Sequence, residues 1–322
     1  MPDLAQVSPS DLVMQLKEKC HAALQGIVPK EEAAAAPYAL LDFPFYANIG
    51  DSAIWEGSRK WLQDHHEGPP AYVSTTFDLS TAKLDRLVPD GPIYIKGGGN
   101  FGDLYPAHHR FRFELVRRYG SRVVHLPQSL HFDSTQAFED TKELSRLGGN
   151  LMVRDHPSFA LAQKLGFEPT LVPDAAFYLG PQERIGTPDR DLLVLKRTDK
   201  EDTGDAISGV DWGGEVPLTW AYAAVISAIR ERRISKLGAF DTLTSMRVRR
   251  GFAMLSRGRA VATDRLHGHI MSVLLGIPHF VSDNSTGKLT AFGEAWTFAA
   301  GHAHRREKLS TITRAEAQAI AQ

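Results

Sequence analysis

Residues 261–289, VATDRLHGHIMSVLLGIPHFVSDNSTGKL, hold the densest chemistry in the chain. Arg265 and His267 are two apart, so in an extended segment both side chains face one way while Leu266 faces the core. Arginine holds phosphate or carboxylate bidentately, and histidine, with an ordinary pKa of ~6.5, moves protons near neutrality. Lys288, in the loop NSTGK, adds a third group that carries positive charge. Such a set suits a phosphate or a carboxylate. An ordinary Asp264–Arg265 ion pair at a strand end is the bland reading, and the convergence of three cationic groups weighs against it.

These residues need elements that bring them together. Val261–Thr263 reads as the end of a buried strand, Gly268–Leu275 as a short apolar helix closed by Gly276 and Pro278, and Ile277–Ser282 as a second strand. Strand, helix, strand at this spacing implies a parallel pair. Asp264, Arg265 and His267 then stand at the carboxyl end of a strand and the amino end of a helix. Ligands of open α/β sheets bind there, and helix-start N–H groups favour anions. Asp191–Leu195, DLLVL, reads as another strand, and it delivers Arg197 to the same kind of edge.

Earlier segments offer further polar groups. In YANIGDSAIWEG, Asn48 and Gly50 suit a tight turn, and Asp51 or Ser52 suits a helix cap. A plain helix cap and a substrate loop explain Asn48 and Asp51 about equally well. The strand PIYIK runs into GGGNFGDLY, where Gly98 and Gly99 would let backbone approach a ligand and Asn100 and Asp103 would face it. This is neither the dinucleotide fingerprint nor a P-loop. PQSLHF and DAAFYLG read as further loops at strand ends.

The remaining chain alternates strands and helices. Ser8-Pro-Ser-Asp opens a helix whose stripe is Leu12, Leu16, Cys20 and Leu24. The polar stretch PQERIGTPDR, residues 181–190, reads as a boundary. The expected fold is α/β, with two Rossmann-like domains, residues 1–185 and 186–322, facing each other across a cleft. The last helix is expected near Ile312–Ala321, packing back on the first domain. Residues 202–214 read as a mobile loop, Trp220–Arg232 as a helix, Gly238–Phe240 as a strand and Met246–Ser256 as a helix.

Formal net charge is −1, which gives no field for nucleic acid, and the arginine clusters at 230–233, 247–250 and 305–306 read as solvated faces. Cys20 is the one cysteine, so a disulfide within the chain is excluded. No secretory leader or stretch of ~20 apolar residues is visible, and the expected location is cytoplasmic.

NIGDSAI, the strand into GGGNFGD, the VRDHPS segment, PDAAF, the strand ending in KR and above all TDRLHGHIMSVLLGIP come in one order over about residues 40–300. In these the chain resembles the polysaccharide pyruvyl transferases. The resemblance implies a GT-B-like pair of domains, with the first on the acceptor side and the second on the phosphoenolpyruvate side. It also implies transfer of pyruvate from phosphoenolpyruvate to a saccharide, usually as a cyclic ketal, with release of phosphate, in exopolysaccharide or cell-surface glycan synthesis. A lipid-linked acceptor at the inner membrane face would make the protein peripheral to the membrane. The family's essential basic residues fall on Arg197, Arg265, His267 and Lys288. Neither a cofactor nor a metal is expected. Two alternatives stay open on the residues alone: a nucleotide-sugar glycosyltransferase of the same two-domain form, and a non-catalytic phosphate- or glycan-binding protein.

Overall fold

The structure is a computed structural model that describes residues 7–198, 202–212, 225, 227–231 and 233–321. The chain divides into two compact units. The N-terminal unit comprises Lys17–Phe45 and Ile54–Tyr178, and the C-terminal unit comprises Met1–Leu16, Tyr46–Ala53 and Leu179–Gln322.

The N-terminal unit is built on a parallel sheet of seven strands. They are β1 (Ala39–Leu41), β2 (Tyr72–Ser74), β3 (Ile93–Ile95), β4 (Gly98–Gly102), β5 (Val123–His131), β6 (Asn150–Val153) and β7 (Thr170–Leu171). Their order is β2-β1-β3-β5-β6-β7, and β3 and β4 pair in succession along β5. Continuous burial of β1, β2 and β3 is what a sheet covered on both faces requires. The helices here are α2 (Lys30–Ala35), α4 (Thr81–Leu87), α5 (Pro106–Tyr119), α6 (Thr135–Arg146) and α7 (His156–Lys164), together with parts of α1 (Pro9–Ile27) and α3 (Ile49–His66). The stripe on α1 is as expected: Leu12, Leu16, Cys20 and Leu24 are all buried, and Asp11 N donates to the Ser8 hydroxyl at 3.2 Å. Burial pushes the Cys20 thiol far above its ordinary pKa, so it stays an inert thiol.

The glycine run differs from expectation. It forms strand β4 rather than a loop, because backbone must pass very close to backbone. A Cβ on Gly97 would stand 2.5 Å from Pro127 O, and one on Gly102, at φ +121°, would stand 1.7 Å from His131 O. PQSLHF is likewise the second half of β5 and not a loop. Gln128 donates to Lys96 O at 2.8 Å and Ser129 to Asp155 Oδ2 at 2.6 Å, so both donors are engaged inside the unit. DAAFYLG contains a 3-10 turn, Ala175–Leu179.

The C-terminal unit carries a parallel sheet of four strands in the order β11-β10-β9-β8: β8 (Arg190–Leu195), β9 (Gly258–Thr263), β10 (His279–Val281) and β11 (Ala303–Arg305). Its helices are α8 (Lys236–Ser256), α9 (Leu266–Leu274), α10 (Lys288–Trp296) and α11 (Arg314–Ile320). Residues 238–240, expected as a strand, belong to α8, capped where Ser235 Oγ accepts from Gly238 N at 3.0 Å. Within this unit a Cβ on Gly251 of α8 would meet Ile49 Cγ2 at 2.5 Å and Met271 Cε at 2.9 Å. The first turn of α3 therefore packs tightly here, although it is distant in sequence. The closing helix α11 packs on the small sheet of its own unit. Ala317 clusters with Ala262 of β9 and Phe280 of β10. Most of the expected helix 220–232 lies outside the described residues.

The segment 202–212, expected to be mobile, is pinned along β8. Lys196 N donates to Val210 O and Val210 N to Val194 O, both at 2.9 Å, and Trp212 is buried. Among the described residues, no helix is long and apolar enough to cross a membrane.

Candidate anion site

The small sheet sets the geometry. Leu195, Thr263 and Val281 share one level across β8, β9 and β10, so Arg197 and Arg265 stand at equal height, each two residues past the paired edge. Asp283 has the same place beyond β10, and Lys288 opens α10 after the next loop. This is the carboxyl edge of a parallel sheet, where the βαβ pattern put the three residues of TDRLH.

Arg265 occupies the N-cap position of α9 and makes no side-chain cap. Its guanidinium grips Asp211 bidentately, Nε to Oδ1 at 2.6 Å and Nη2 to Oδ2 at 2.7 Å. The same carboxylate accepts from Thr198 N at 3.0 Å, Thr198 Oγ1 at 2.7 Å and Trp212 N at 2.7 Å. Burial alone would raise the Asp211 pKa, but the Arg265 hydrogen bonds and charge, with the Thr198 and Trp212 donors, outweigh it and hold the group ionised. Asp264 does not pair with the Arg265 side chain in the manner of the bland reading. Its Oδ1 accepts the Arg197 N–H at 2.8 Å, which fastens the exit of β8 to that of β9. Burial pushes the Asp264 carboxyl above the usual range, against the opposing pull of that N–H and of both arginines.

His267 lies in the first turn of α9 and is half-buried. Its ring lies against Gly50, where a Cβ would come within 2.6 Å of His267 Cγ and 2.7 Å of Nδ1. Only a glycine lets the start of α3 approach this closely. Asn48, and neither Asp51 nor Ser52, caps that helix: its Oδ1 accepts from Gly50 N at 2.9 Å and Asp51 N at 3.4 Å. Leu266 is buried, but it opens α9, so the extended alternation expected for Arg265, Leu266 and His267 gives way to a helix turn.

One contributor was misread from the sequence. Arg247 sits within a cluster read as a solvated face, yet it is 2% exposed, with Nη1 3.3 Å from Ser52 Oγ at the start of α3. Burial draws its pKa down to about 10, while Tyr46 and Asp51 pull it the other way. Asp211 was missed altogether. Neither residue has a local sequence signal, since each acts across more than fifty positions. Beside this group, beyond β10 and β11, lies a cavity of about 500 Å³ lined by Asp283, Thr290, Arg305 and Arg306 among others.

The predicted residues thus fall into two sets. Arg197, Arg265, Leu266, His267, Lys288, Asn48 and Asp51 belong to the C-terminal unit. Gly98, Gly99, Asn100 and Asp103 belong to the N-terminal unit, where Gly98 pairs with Gln128 in the sheet and both polar residues are hydrogen-bonded. Asn100 Nδ2 donates to Asp42 Oδ2 at 3.3 Å and its Oδ1 accepts from Arg112 at 2.7 Å. Asp103 accepts from Asp133 N at 2.9 Å and Ser134 N at 2.7 Å, which anchors the loop before α6.

The fold is α/β, and its C-terminal unit carries an arginine-histidine group at a parallel-sheet edge, an arrangement whose helix start and guanidinium suit an anion. The family described as polysaccharide pyruvyl transferase matches residues 48–286. The chain is 33% identical over 277 residues to Pyruvyl transferase 1 of Schizosaccharomyces pombe, covering 80% of this chain and 69% of that one. It is 31% identical over 327 residues to Putative pyruvyl transferase EpsO of Bacillus subtilis, covering 92% and 97%. A crystal structure of a functionally uncharacterised Klebsiella pneumoniae protein superimposes with a TM-score of 0.59 at 16% identity, over 88% of this chain and 98% of that one, a likeness of fold alone. The chain belongs to the polysaccharide pyruvyl transferase family and is a transferase.

Proposed function

We propose that the protein transfers pyruvate from phosphoenolpyruvate to a saccharide, forming a cyclic ketal and releasing phosphate, in the synthesis of an exopolysaccharide or other cell-surface glycan. The observation that carries this reading is the placement of Arg197 and Arg265 at one height of one sheet edge, with His267 in the adjoining helix turn. Phosphoenolpyruvate presents a phosphate and a carboxylate close together, and two arginine forks are the economical way to hold both. Lys288 neutralises charge on the departing phosphate. The two units are read as GT-B-like, with phosphoenolpyruvate on the C-terminal unit and the saccharide assigned to the N-terminal one.

In this scheme His267 delivers a proton to C3, and C2 takes on oxocarbenium character. One sugar hydroxyl bonds to C2, the C2–O bond to phosphate breaks, and a second hydroxyl closes the ring. Of the two protons the hydroxyls lose, one restores that given to C3 and the other leaves on phosphate. The arginines stabilise charge that builds on the leaving group, and the histidine supplies general acid-base catalysis. No step calls for a metal or a cofactor.

The test is phosphate release from phosphoenolpyruvate in the presence of candidate saccharides, lipid-linked oligosaccharides included. Release that depends on the saccharide supports the proposal. Activity with nucleotide-sugars alone replaces it with glycosyl transfer, and binding without turnover replaces it with a binding protein.

A further inference from the structure

We propose that Asp211 is a positioning residue of the anion site, holding the Arg265 guanidinium by one edge and aligning it with Arg197. The inference rests on the assignment of Arg265 to the substrate's anionic groups. A carboxylate offers about four lone-pair positions. Asp211 receives five donors: Arg265 Nε and Nη2, Thr198 N and Oγ1, and Trp212 N. It is saturated. A substrate anion that displaced it from Arg265 would leave a buried carboxylate facing only neutral donors, which is costly.

The segment that carries Asp211 is fixed as well. Val210 makes two backbone hydrogen bonds along β8, Lys196 Nζ donates to Asp205 O at 2.5 Å, and Asp205 Oδ2 accepts from Ser310 N at 3.1 Å. Two acids therefore lash the exit of β8 to that of β9. Asp264 holds the backbone of Arg197, and Asp211 joins the next residue, Thr198, to the side chain of Arg265. Asp211 takes the Nε–Nη2 edge of the fork. The carboxylate turns a flexible side chain into a preset receptor, as residues behind metal ligands do for a metal.

The opposite reading makes Asp211 a stand-in for the substrate that must move aside. The two readings differ in sign. Calorimetric titration of phosphoenolpyruvate and of inorganic phosphate into wild type, Asp211→Asn, Arg265→Ala and the double variant separates them. A positioning role predicts that Asp211→Asn weakens phosphoenolpyruvate binding by on the order of 10–100-fold. In the Arg265→Ala background the same change should alter the dissociation constant less than about twofold, since its effect runs through Arg265. Tighter binding by Asp211→Asn, or equal losses in both backgrounds, overturns the proposal. Thr198→Val, which removes one donor, supplies a milder variant should Asp211→Asn fold poorly; it is expected to show a smaller loss, and no loss overturns the proposal. The Arg265 Nε–H resonance in nitrogen-15 spectra of the ligand-free protein gives a readout that needs no substrate. It should be protected from exchange in wild type and lost in Asp211→Asn, and equal exchange in both is contrary to the proposal. If wild type binds neither anion, the functional reading fails while that resonance still decides the role of Asp211.

Discussion

Acidification should destabilise the C-terminal unit steeply, through two histidines next to the site. His269 Nδ1 lies 2.7 Å from His279 Nε2, His269 Nε2 lies 2.7 Å from Thr297 Oγ1, and His279 Nδ1 lies 2.8 Å from Ile277 O. Both rings are fully buried. Burial holds His279 down at about 4 and His269 well below 6.5, the neighbouring imidazole adding to the latter shift. A group whose folded pKa is depressed binds more protons unfolded, so stability falls as pH drops below the unfolded value. The stabilising contribution is therefore complete above ~6.5 and declines toward the folded pKa. At pH 5, one and a half units below the unfolded value, His279 costs ~2 kcal/mol, and His269, depressed in the same direction, adds to that loss. In a domain of this size that corresponds to a fall of on the order of 10 °C in melting temperature. Thermal melts at pH 7.5 and 5.0 check it, with the His279→Gln variant expected to show a shallower decline. A melting temperature that moves by less than about 2 °C between the two pH values would refute the reasoning.

Three substitutions test other parts of the structure. Arg265→Lys keeps the charge but loses the fork; with charged hydrogen bonds worth ~1.5–3 kcal/mol, phosphoenolpyruvate affinity measured by calorimetry should drop by at least about tenfold. Gly50→Ala places a Cβ 2.6 Å from His267 Cγ and must shift the ring; turnover in a phosphate-release assay should fall at least about tenfold while phosphoenolpyruvate binding changes by less than about threefold, and an unchanged rate would mean that ring placement is immaterial. Gly102→Ala meets His131 O at 1.7 Å from a backbone at φ +121°, so a loss of more than ~3 kcal/mol is expected in chemical denaturation, and a near-normal midpoint would show that β4 and β5 can separate at little cost.

Much of the small sheet was legible in the sequence because it is built from contrasting patterns. Val261–Thr263 and Ile277–Ser282 are short apolar runs either side of a compact apolar helix with a glycine-proline stop, and the structure puts parallel strands β9 and β10 there with α9 between them. The errors have physical causes. Gly238 and Gly251 lower the helix propensity of 236–256, but packing against Ile49 and Met271 overrides it and yields one long helix. The glycines of β4 mimic a loop because a strand that must crowd its neighbour's backbone has no side chains to reveal its period. Residues 202–212 look mobile in composition, and what fixes them is a set of hydrogen bonds to partners that no local pattern announces. Arg247 was read by its charged neighbours, while its burial depends on a helix start nearly two hundred residues away.

The same contrast explains why the site's charges were only half visible. Cations can be picked out of a sequence by type, and Arg197, Arg265, His267 and Lys288 were. Their counter-charges cannot, because a carboxylate that orients an arginine need share only space with it. Asp264 and Asp211 show the two ways this happens here. One lies beside its arginine in sequence yet bonds the backbone of a different strand, and the other is 54 residues away yet grips the side chain. With Asp211 ionised beside it, Arg265 adds little net charge of its own. On the proposed function, what it offers an incoming anion is a fixed set of directed N–H groups. Arg265 should therefore set affinity through geometry more than through long-range charge.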